Sequence, residues 1–165
     1  MQSWLRDPEA MRFNEVRYPV AVARLRARAD DPVSYGWSLA HFAVEALDCA
    51  QRVGEASLAG RGSPEDRRAE MVIIIGPEFR GRGYGSDTVR TLCRFGFEMM
   101  NLRRIELEVN AGNARGRHVY ASAGFVVEGT RRDAQFHASQ WEDIVMMALL
   151  RPDWERETVL KAGGG

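Results

Sequence analysis

The stretch MVIIIGPEFRGRGYGSDTVRTL, residues 71–92, joins an apolar run, a glycine-rich loop and a helix-like pattern in direct succession. The apolar run is typical of a well-buried strand. Three glycines between residues 81 and 85 let the backbone approach a ligand closely. A helix that starts here directs its first N–H groups and the positive end of its dipole at the loop. The sequence therefore predicts a strand, loop and helix that together hold an anion.

The glycine spacing discriminates among several kinds of phosphate loop. A Walker A loop ends in Gly-Lys-Ser/Thr, whereas this loop ends in Gly85-Ser86 without a lysine, which argues against nucleotide hydrolysis. A dinucleotide-binding loop needs its third glycine at position 86 and a parallel βαβ unit, which this chain does not offer. The remaining pattern, Arg80-x-x-Gly83-x-Gly85, suits a pyrophosphate, with charge-assisted bonds from Arg80 or Arg82. A helix start that uses glycine only for a tight turn is the alternative.

Composition restricts the class of protein. The chain has 165 residues, so we expect one domain over residues 1–160 and a flexible tail at 161–165. Its 23 basic and 23 acidic residues cancel, which argues against a nucleic-acid partner. No apolar stretch has the length of a membrane span, which predicts a cytoplasmic protein without a membrane partner. The two cysteines and three histidines lie apart in the sequence, so no metal site is predicted.

Hydrophobic periodicity predicts the order of the elements. Two short helices precede residue 35, and an antiparallel meander of three strands then ends at residues 71–75. A helix from about Asp87 to Met100 and a strand over residues 103–110 follow. A short helix starts at Asn113 and is closed by Gly124. Two strands, within residues 125–130 and 141–150, are joined by a polar loop, so that the fold class is α/β with a mixed, mostly antiparallel sheet.

Two motifs together resemble a known family. The glycine loop matches the pattern Arg/Gln-x-x-Gly-x-Gly/Ala, and an Asn is followed seven residues later by Tyr and then by a Gly-Phe pair. The matching residues are Arg80, Gly83, Gly85, Asn113, Tyr120, Gly124 and Phe125. From Val53 to about Leu150 the chain resembles GNAT-family N-acetyltransferases, in particular the branch of ribosomal-protein-alanine N-acetyltransferases.

The resemblance implies a fold and a co-substrate. The central sheet is expected to be flanked by helices and splayed at the acetyl-CoA site, with the strand before the loop bulged near Ile74 to Gly76. Pro77 agrees, because it cannot donate to a sheet ladder. Acetyl-CoA is the implied co-substrate, and no metal is implied. The residues implied to bind acetyl-CoA are Ile74, Ile75, Arg80, Gly81, Arg82, Gly83, Tyr84, Gly85, Ser86, Asn113 and Arg117; for Arg117 a solvated surface role is the alternative.

The resemblance also implies two catalytic groups. Tyr120 would protonate the departing thiolate of coenzyme A, since a neutral phenol has a higher pKa than a thiol. A core tyrosine with its hydroxyl at the edge is the alternative. Glu70 would take the proton of the attacking amine. Its alternative role is that of a strand-end ion-pair partner for Arg67 or Arg68.

The amine acceptor is left open. The implied reaction is direct acetyl transfer to a primary amine in a ternary complex, and the acceptor is a protein N-terminal amine, a polyamine or an amine-bearing small molecule. An α-amine loses its proton near neutral pH at a free-energy cost about 3 kcal/mol below that of a lysine. The alternatives are a non-catalytic acyl-CoA-binding or sensing module and a nicotinamide-dependent oxidoreductase. The resemblance further implies a homodimer formed through the terminal strands.

The chain departs from the family at three places. Gly116 stands where the family has alanine, which weakens a helix by about 1 kcal/mol. The segment Phe136–Gln140 before Trp141 lacks the usual hairpin glycine. The family's first strand normally precedes the segment that residues 4–13 resemble, and only residues 1–3 precede that segment here.

Overall fold

The computed structural model describes residues 39–47, 50–137 and 139–162. The strands are β1 (Leu39–Ala46), β2 (Gln51–Gly60), β3 (Arg68–Ile75), β4 (Arg104–Asn110), β5 (Val126–His137) and β6 (Gln140–Leu150). The helices are α1 (Tyr84–Arg94), which continues into a π-helical turn (Phe95–Met99), α2 (Ala114–Ser122) and α3 (Arg151–Ala162). Two short 3₁₀ helices span Pro64–Asp66 and Pro77–Phe79.

The six strands form one mixed sheet in the order β1-β2-β3-β4-β6-β5. Only β3 and β4 run parallel, and all other neighbours are antiparallel. The crossover between β3 and β4 contains the glycine loop and α1, so the parallel pair has the helical connection that such a pair requires. The predicted fold class, a mixed and mostly antiparallel sheet flanked by helices, is confirmed.

The sheet is splayed between its two parallel strands. β3 pairs with β4 only over Arg68–Glu70, opposite Arg104–Glu106. Beyond these three pairs, β3 continues to Ile75 and β4 to Asn110 without pairing to each other. The expected splay is therefore present, but it begins at residue 71 and not at residue 74.

The expected bulge in β3 is absent. Its pairing with β2 keeps one register from Ala69 to Ile75, and the amide of Gly76 then donates to the Val53 carbonyl at 2.9 Å. Pro77 ends this ladder, as predicted. The opening thus arises because β3 and β4 diverge, while β3 stays regular against β2.

One face of the sheet, the helix face, carries the core. Alternate strand residues, including Leu58, Met71, Leu107 and Met147, face α1 and the π-helical turn there. The helical residues of this core include Val89, Leu92 and Phe97. Gly96 lies at the closest approach, since a Cβ on it would meet Ile105 Cδ1 at 2.9 Å. Because side chains alternate along a strand, the residues between these core positions point to the other face, the second face.

The C-terminal third differs from the prediction in two elements. The segment expected as a polar loop extends β5 to His137, and β6 begins at Gln140, so only two residues connect the strands. Ser139 takes the left-handed backbone conformation (φ 64°) in this connection, which explains how the hairpin dispenses with glycine. Helix α3 was not predicted, and its backbone reaches Ala162, two residues into the expected tail.

Helix α1 begins at Tyr84, three residues before the predicted start at Asp87. Gly83, with φ of 89°, is its N-cap, so the glycine loop leads directly into the helix. The two predicted N-terminal helices, Cys49 and the segment that resembles the family's start lie outside the described residues.

Candidate active site

A cleft of about 590 Å³ opens where β3 and β4 separate. Met71 and Val89 line it from the helix face, and Glu70 and Glu108 line it from the second face. Since β3 and β4 do not pair with each other beyond Glu70 and Glu106, the cleft passes between these two strands from one face of the sheet to the other. Two reactants can therefore reach one point from opposite faces of the sheet.

The glycine loop borders this cleft with its backbone. Gly81 and Gly83 have φ of 76° and 89°, a conformation that residues other than glycine adopt at a cost. A Cβ built on either would meet no atom of another described residue within 4 Å, the chain neighbours apart. The backbone conformation thus favours glycine at both positions, and among the described residues no side chain fills the space beside them.

The first turn of α1 supplies anion-binding groups. The earliest backbone hydrogen bond of the helix runs from the Asp87 amide to the Gly83 carbonyl at 3.0 Å. The N–H groups of Gly85 and Ser86 precede that bond, and both residues line the cleft. Their donors and the helix dipole together suit the oxygens of a phosphate or pyrophosphate.

The three arginines predicted at the cofactor site have different positions. Arg80 lines the cleft, and its Nε donates to the Ile75 carbonyl at 3.3 Å, which ties its side chain to the end of β3. Arg82 lies over the Phe79 ring, 5.9 Å from its centroid, and does not line the cleft. Arg117 is exposed and does not line the cleft, whereas Arg115, two residues earlier, does.

Tyr84 also stays outside the lining. Its ring packs edge-on against Phe79, with centroids 6.5 Å apart. Tyr84 therefore supports the loop beneath the site. Its backbone N–H belongs to the same first helical turn as those of Gly85 and Ser86.

The peptide groups at the end of β3 alternate in direction. The Gly76 amide bonds to β2, so the Ile74 amide also points to β2 and the Ile75 peptide points to the opening. The bond from Arg80 to the Ile75 carbonyl agrees with this direction. Of the two predicted isoleucines, Ile75 directs its N–H into the splay and Ile74 contributes its side chain to the cleft.

Asn113 lies at the start of α2 and lines the cleft. Its side-chain oxygen accepts from the Gly116 amide at 2.9 Å, so it caps the helix as predicted. A Cβ on Gly116 would meet the Asn113 Nδ2 atom at 2.7 Å. Glycine at position 116 therefore makes room for the capping side chain, which accounts for the departure from alanine.

Tyr120 lies half-buried in the cleft, on α2 and about two helical turns beyond Asn113. Its ring packs against Phe125 in a T-shaped contact with centroids 5.9 Å apart. Burial raises the pKa of Tyr120 to about 12, because the phenolate would be poorly solvated. The phenol is therefore neutral at physiological pH and can act as a hydrogen-bond donor.

Glu70 lies in the cleft wall on the second face and is only 9% exposed. Its carboxylate is paired with Arg61 of the segment after β2, and not with Arg67 or Arg68 as the alternative prediction had it. Arg61 compensates the charge of this buried carboxylate, which still lines the cleft.

Sequence reasoning missed several residues of the lining. The polar or charged ones are Glu108, Asn110, Arg115, Arg131 and Gln135. Alternation along β4 was recognised and could have assigned Glu108 and Asn110 to one face. Arg131 and Gln135 could not have been found this way, because the register of β5 against β6 shifts between them.

Asn110 connects three elements beside the site. It is 2% exposed, its Nδ2 donates to Glu142 of β6, and its Oδ1 accepts from the Gly112 amide at 2.8 Å. Its carbonyl accepts from the Asn113 amide at 2.9 Å. These bonds hold the turn from which α2 carries Asn113 and Tyr120 towards the cleft.

Within the described ranges, no group of three or more His, Cys, Asp or Glu side chains could hold a metal ion. In the same part of the chain, no helix is both long and apolar enough to cross a membrane. Cys93 is buried on α1 with 2% exposure, and burial raises the pKa of its thiol to about 12. Such a thiol is a poor nucleophile.

Comparison with known proteins gives relatives of two activities. Spermidine N(1)-acetyltransferase from Escherichia coli strain K12 is 32% identical over 91 residues, covering 55% of this chain and 49% of that protein. [Ribosomal protein uS5]-alanine N-acetyltransferase from the same strain is 30% identical over 80 residues, covering 48% and 41% respectively. The chain spans about half the length of these curated relatives.

Structural comparison supports the same fold. A crystal structure of spermidine N-acetyltransferase from Vibrio cholerae in complex with CoA and spermine matches with a TM-score of 0.83. The match covers 93% of this chain and 89% of that chain at 24% identity, a level at which it shows the fold alone. Residues 1–126 match the family model of the acetyltransferase (GNAT) domain. The chain therefore belongs to the GNAT acetyltransferase family.

Proposed function

We propose that this protein transfers the acetyl group of acetyl-CoA directly to a primary amine within a ternary complex. The observation that carries the proposal is the cleft that passes through the splayed sheet. It has a helix start with N–H groups that suit a phosphate on the helix face and carboxylates on the second face. Acetyl-CoA would enter from the helix face and the amine from the second face.

The cofactor contacts follow from the loop geometry. The pyrophosphate would accept from the N–H groups of Gly85 and Ser86, with charge from Arg80. Gly81 and Gly83 leave the backbone open to it. The Asn113 oxygen is engaged in capping, so a contact to the pantetheine arm would fall to its Nδ2 group.

The chemistry needs a base, an oxyanion donor and a donor to the thiolate. Glu70 would accept the ammonium proton, directly or through water. The neutral amine then attacks the thioester carbonyl, and the N–H of Ile75, directed into the splay, would stabilise the oxyanion. As the carbon–sulfur bond breaks, the Tyr120 hydroxyl would donate a hydrogen bond to the thiolate.

The raised pKa of Tyr120 restricts its role. A phenol with a pKa of about 12 stands about 3.5 units above a thiol, so full proton transfer would be uphill by roughly 5 kcal/mol. Tyr120 would therefore stabilise the thiolate by hydrogen bonding, and solvent or the proton released by the amine would complete its protonation. This refines the simple acid role expected from the resemblance.

The names of the relatives support two classes of acceptor. They point to a polyamine, as in the spermidine enzymes, and to an alanine of a ribosomal protein. We propose that the acceptor belongs to one of these classes. Thiol release in the presence of spermidine or of an alanine-starting peptide discriminates between them.

The first experiment measures acetyl-CoA binding by calorimetry, with CoA and NAD as controls. Gly85→Val tests the loop without a forced backbone change, because a Cβ there would meet only Ile75 Cγ1 at 3.9 Å. Thr91→Val, on the exposed side of α1, is the matched control. We expect micromolar binding that is lost in Gly85→Val and kept in Thr91→Val. A folded wild-type protein that binds NAD but neither CoA species would contradict the proposal.

The same proposal treats residues 1–160 as one acetyltransferase domain that acts in the cytoplasm as a homodimer. Limited proteolysis checks the domain, sedimentation velocity the dimer, and fractionation of the source cells the compartment. A non-catalytic acyl-CoA-binding module would bind acetyl-CoA equally well and release no thiol with any amine.

A further inference from the structure

The second face of the cleft carries a charge pair that the proposed reaction does not use. Glu108 of β4 lies between the core residues Leu107 and Val109, so its side chain points to the second face, where it lines the cleft. Its carboxylate is paired with Arg131 of β5, which lines the cleft as well.

Glu108 is the accessible carboxylate of this wall. Among the described residues, only Glu70 and Glu108 line the cleft with a carboxylate. Glu70 is 12% exposed at its side chain, whereas Glu108 and Arg131 are 41% and 49% exposed. A salt bridge this exposed contributes little to stability, because water solvates both charges when it opens, so its partners can be exchanged at little cost.

Arg131 reaches the cleft from an irregular part of its strand. Arg131 pairs with Ile144 and Gln135 pairs with Glu142, so β5 contains two more residues than β6 over this interval. The extra length forms a bulge in which Asp133 has φ of 48° and its amide donates to Asp143 Oδ1 at 2.9 Å. Bulges redirect side chains and interrupt pairing, so Arg131 is less constrained than a residue in a regular ladder.

We propose that Glu108 is the acceptor-binding carboxylate, and that Arg131 is an internal counter-ion which the protonated amine of the acceptor displaces. The inference rests on the proposed function and names the form in which the acceptor arrives, a cation. A primary ammonium group presents N–H donors to a carboxylate as a guanidinium does. Glu108 would thus select cationic amines over neutral nucleophiles before the proton is removed.

Substitutions of Glu108 and of Arg131 should then have opposite effects on the affinity for the amine. Glu108→Gln removes the negative charge and should weaken amine binding at least tenfold. Arg131→Gln removes the competing cation and should strengthen amine binding several-fold. A pair that only braces β4 against β5 would give losses in both variants.

The test titrates spermidine, and separately an alanine-starting peptide, into the protein by calorimetry, with and without saturating CoA. Glu106→Gln is the matched control, because Glu106 lies on the same face of β4, is paired with Arg104 and does not line the cleft. We expect unchanged amine affinity in Glu106→Gln and unchanged CoA affinity in all three variants. Circular dichroism confirms folding of each variant.

Three results would overturn the proposal: equal losses in Glu108→Gln and Arg131→Gln, an equal loss in Glu106→Gln, or no binding of either amine to any form. The CoA titration separates this inference from the proposed function. Wild-type protein that binds CoA but neither amine would refute the role of Glu108 alone. Protein that fails to bind CoA would refute the proposed function, while the amine titrations without CoA still decide the role of Glu108.

Discussion

At the scale of single residues, Tyr120 has the group whose chemistry matters most to the proposed reaction. Tyr120→Phe keeps the ring that packs on Phe125 and removes only the hydroxyl. We expect kcat to fall about 100-fold, because the departing thiolate loses its donor. The acetyl-CoA dissociation constant should stay unchanged. Steady-state kinetics and calorimetry on the same preparation check both, and an unchanged kcat would assign the hydroxyl to packing.

Cys93 gives a pH dependence of stability. Its folded pKa of about 12 exceeds the unfolded value near 8.5, so the unfolded chain loses the thiol proton first as pH rises. The contribution is complete below about pH 8 and declines as pH rises towards 12. Denaturant unfolding at pH 7 and pH 10 measures how much the free energy of unfolding falls between these two pH values. This decrease should be smaller in Cys93→Ala than in wild type by roughly 1 to 2 kcal/mol. An identical loss in both proteins would show that the thiol ionises while the protein is folded.

At the scale of elements, the continuous helical segment of residues 84–99 contains two glycines in opposite packing environments. Gly85 faces the cleft, and a Cβ on it would have only an ordinary contact with Ile75. Gly96 is buried, and a Cβ on it would also meet Leu102 Cδ1 and Leu58 Cδ1 at 3.1 Å. The first glycine keeps space for a ligand, and the second lets the helical segment approach the sheet.

The alanine variants of these glycines should therefore separate stability from binding. Gly85→Ala should leave the free energy of unfolding unchanged or raise it by up to about 1 kcal/mol, and should weaken acetyl-CoA binding. Gly96→Ala should lower the free energy of unfolding by about 1 to 3 kcal/mol through overpacking. The folded fraction of Gly96→Ala should bind acetyl-CoA normally. Urea unfolding and calorimetry measure both quantities, and equal stability changes in the two variants would contradict the assignment.

The boundaries of the elements show how far local patterns could be interpreted. The strand before the loop, the strand of residues 104–110 and the Asn113 cap follow local rules of burial, alternation and capping, and all three are present. The second half of β5 does not follow them, because the charges of residues 131–133 resemble a loop. Its pairing with β6 decides its conformation, and such pairing is a tertiary property.

At the scale of the whole molecule, an aromatic contact joins α3 to the core, in addition to the contacts that Arg151 makes with the backbone at the start of the helix. Trp154 packs on the fully buried Phe97, with ring centroids 5.1 Å apart. Trp154→Ala should cost about 2 kcal/mol, which lowers Tm by roughly 4 to 8 °C. Leu160→Ala, at a position 76% exposed on the same helix, should change Tm by less than about 2 °C. Calorimetric melts compare the two, and equal shifts would show that α3 is held by its general surface and not by Trp154.

The sequence by itself determined the family and the parts of the candidate site that depend on local rules. Backbone conformation favours glycine at positions 81 and 83, Asn113 caps its helix, and burial of alternate residues defines the strands around them. These requirements act over a few residues, so they are visible as motifs. The splayed mixed sheet could be expected only through the resemblance that these motifs establish.

Only the tertiary structure decided which side chains meet across the opening. The splay begins at residue 71 because β3 and β4 diverge after three pairs, and no local pattern encodes that divergence. Arg61 pairs with Glu70, and Arg131 pairs with Glu108, at sequence separations of 9 and 23 residues respectively. The second face of the cleft is therefore built from long-range pairing and from the shifted register of β5, whereas the glycine loop is built from adjacent residues.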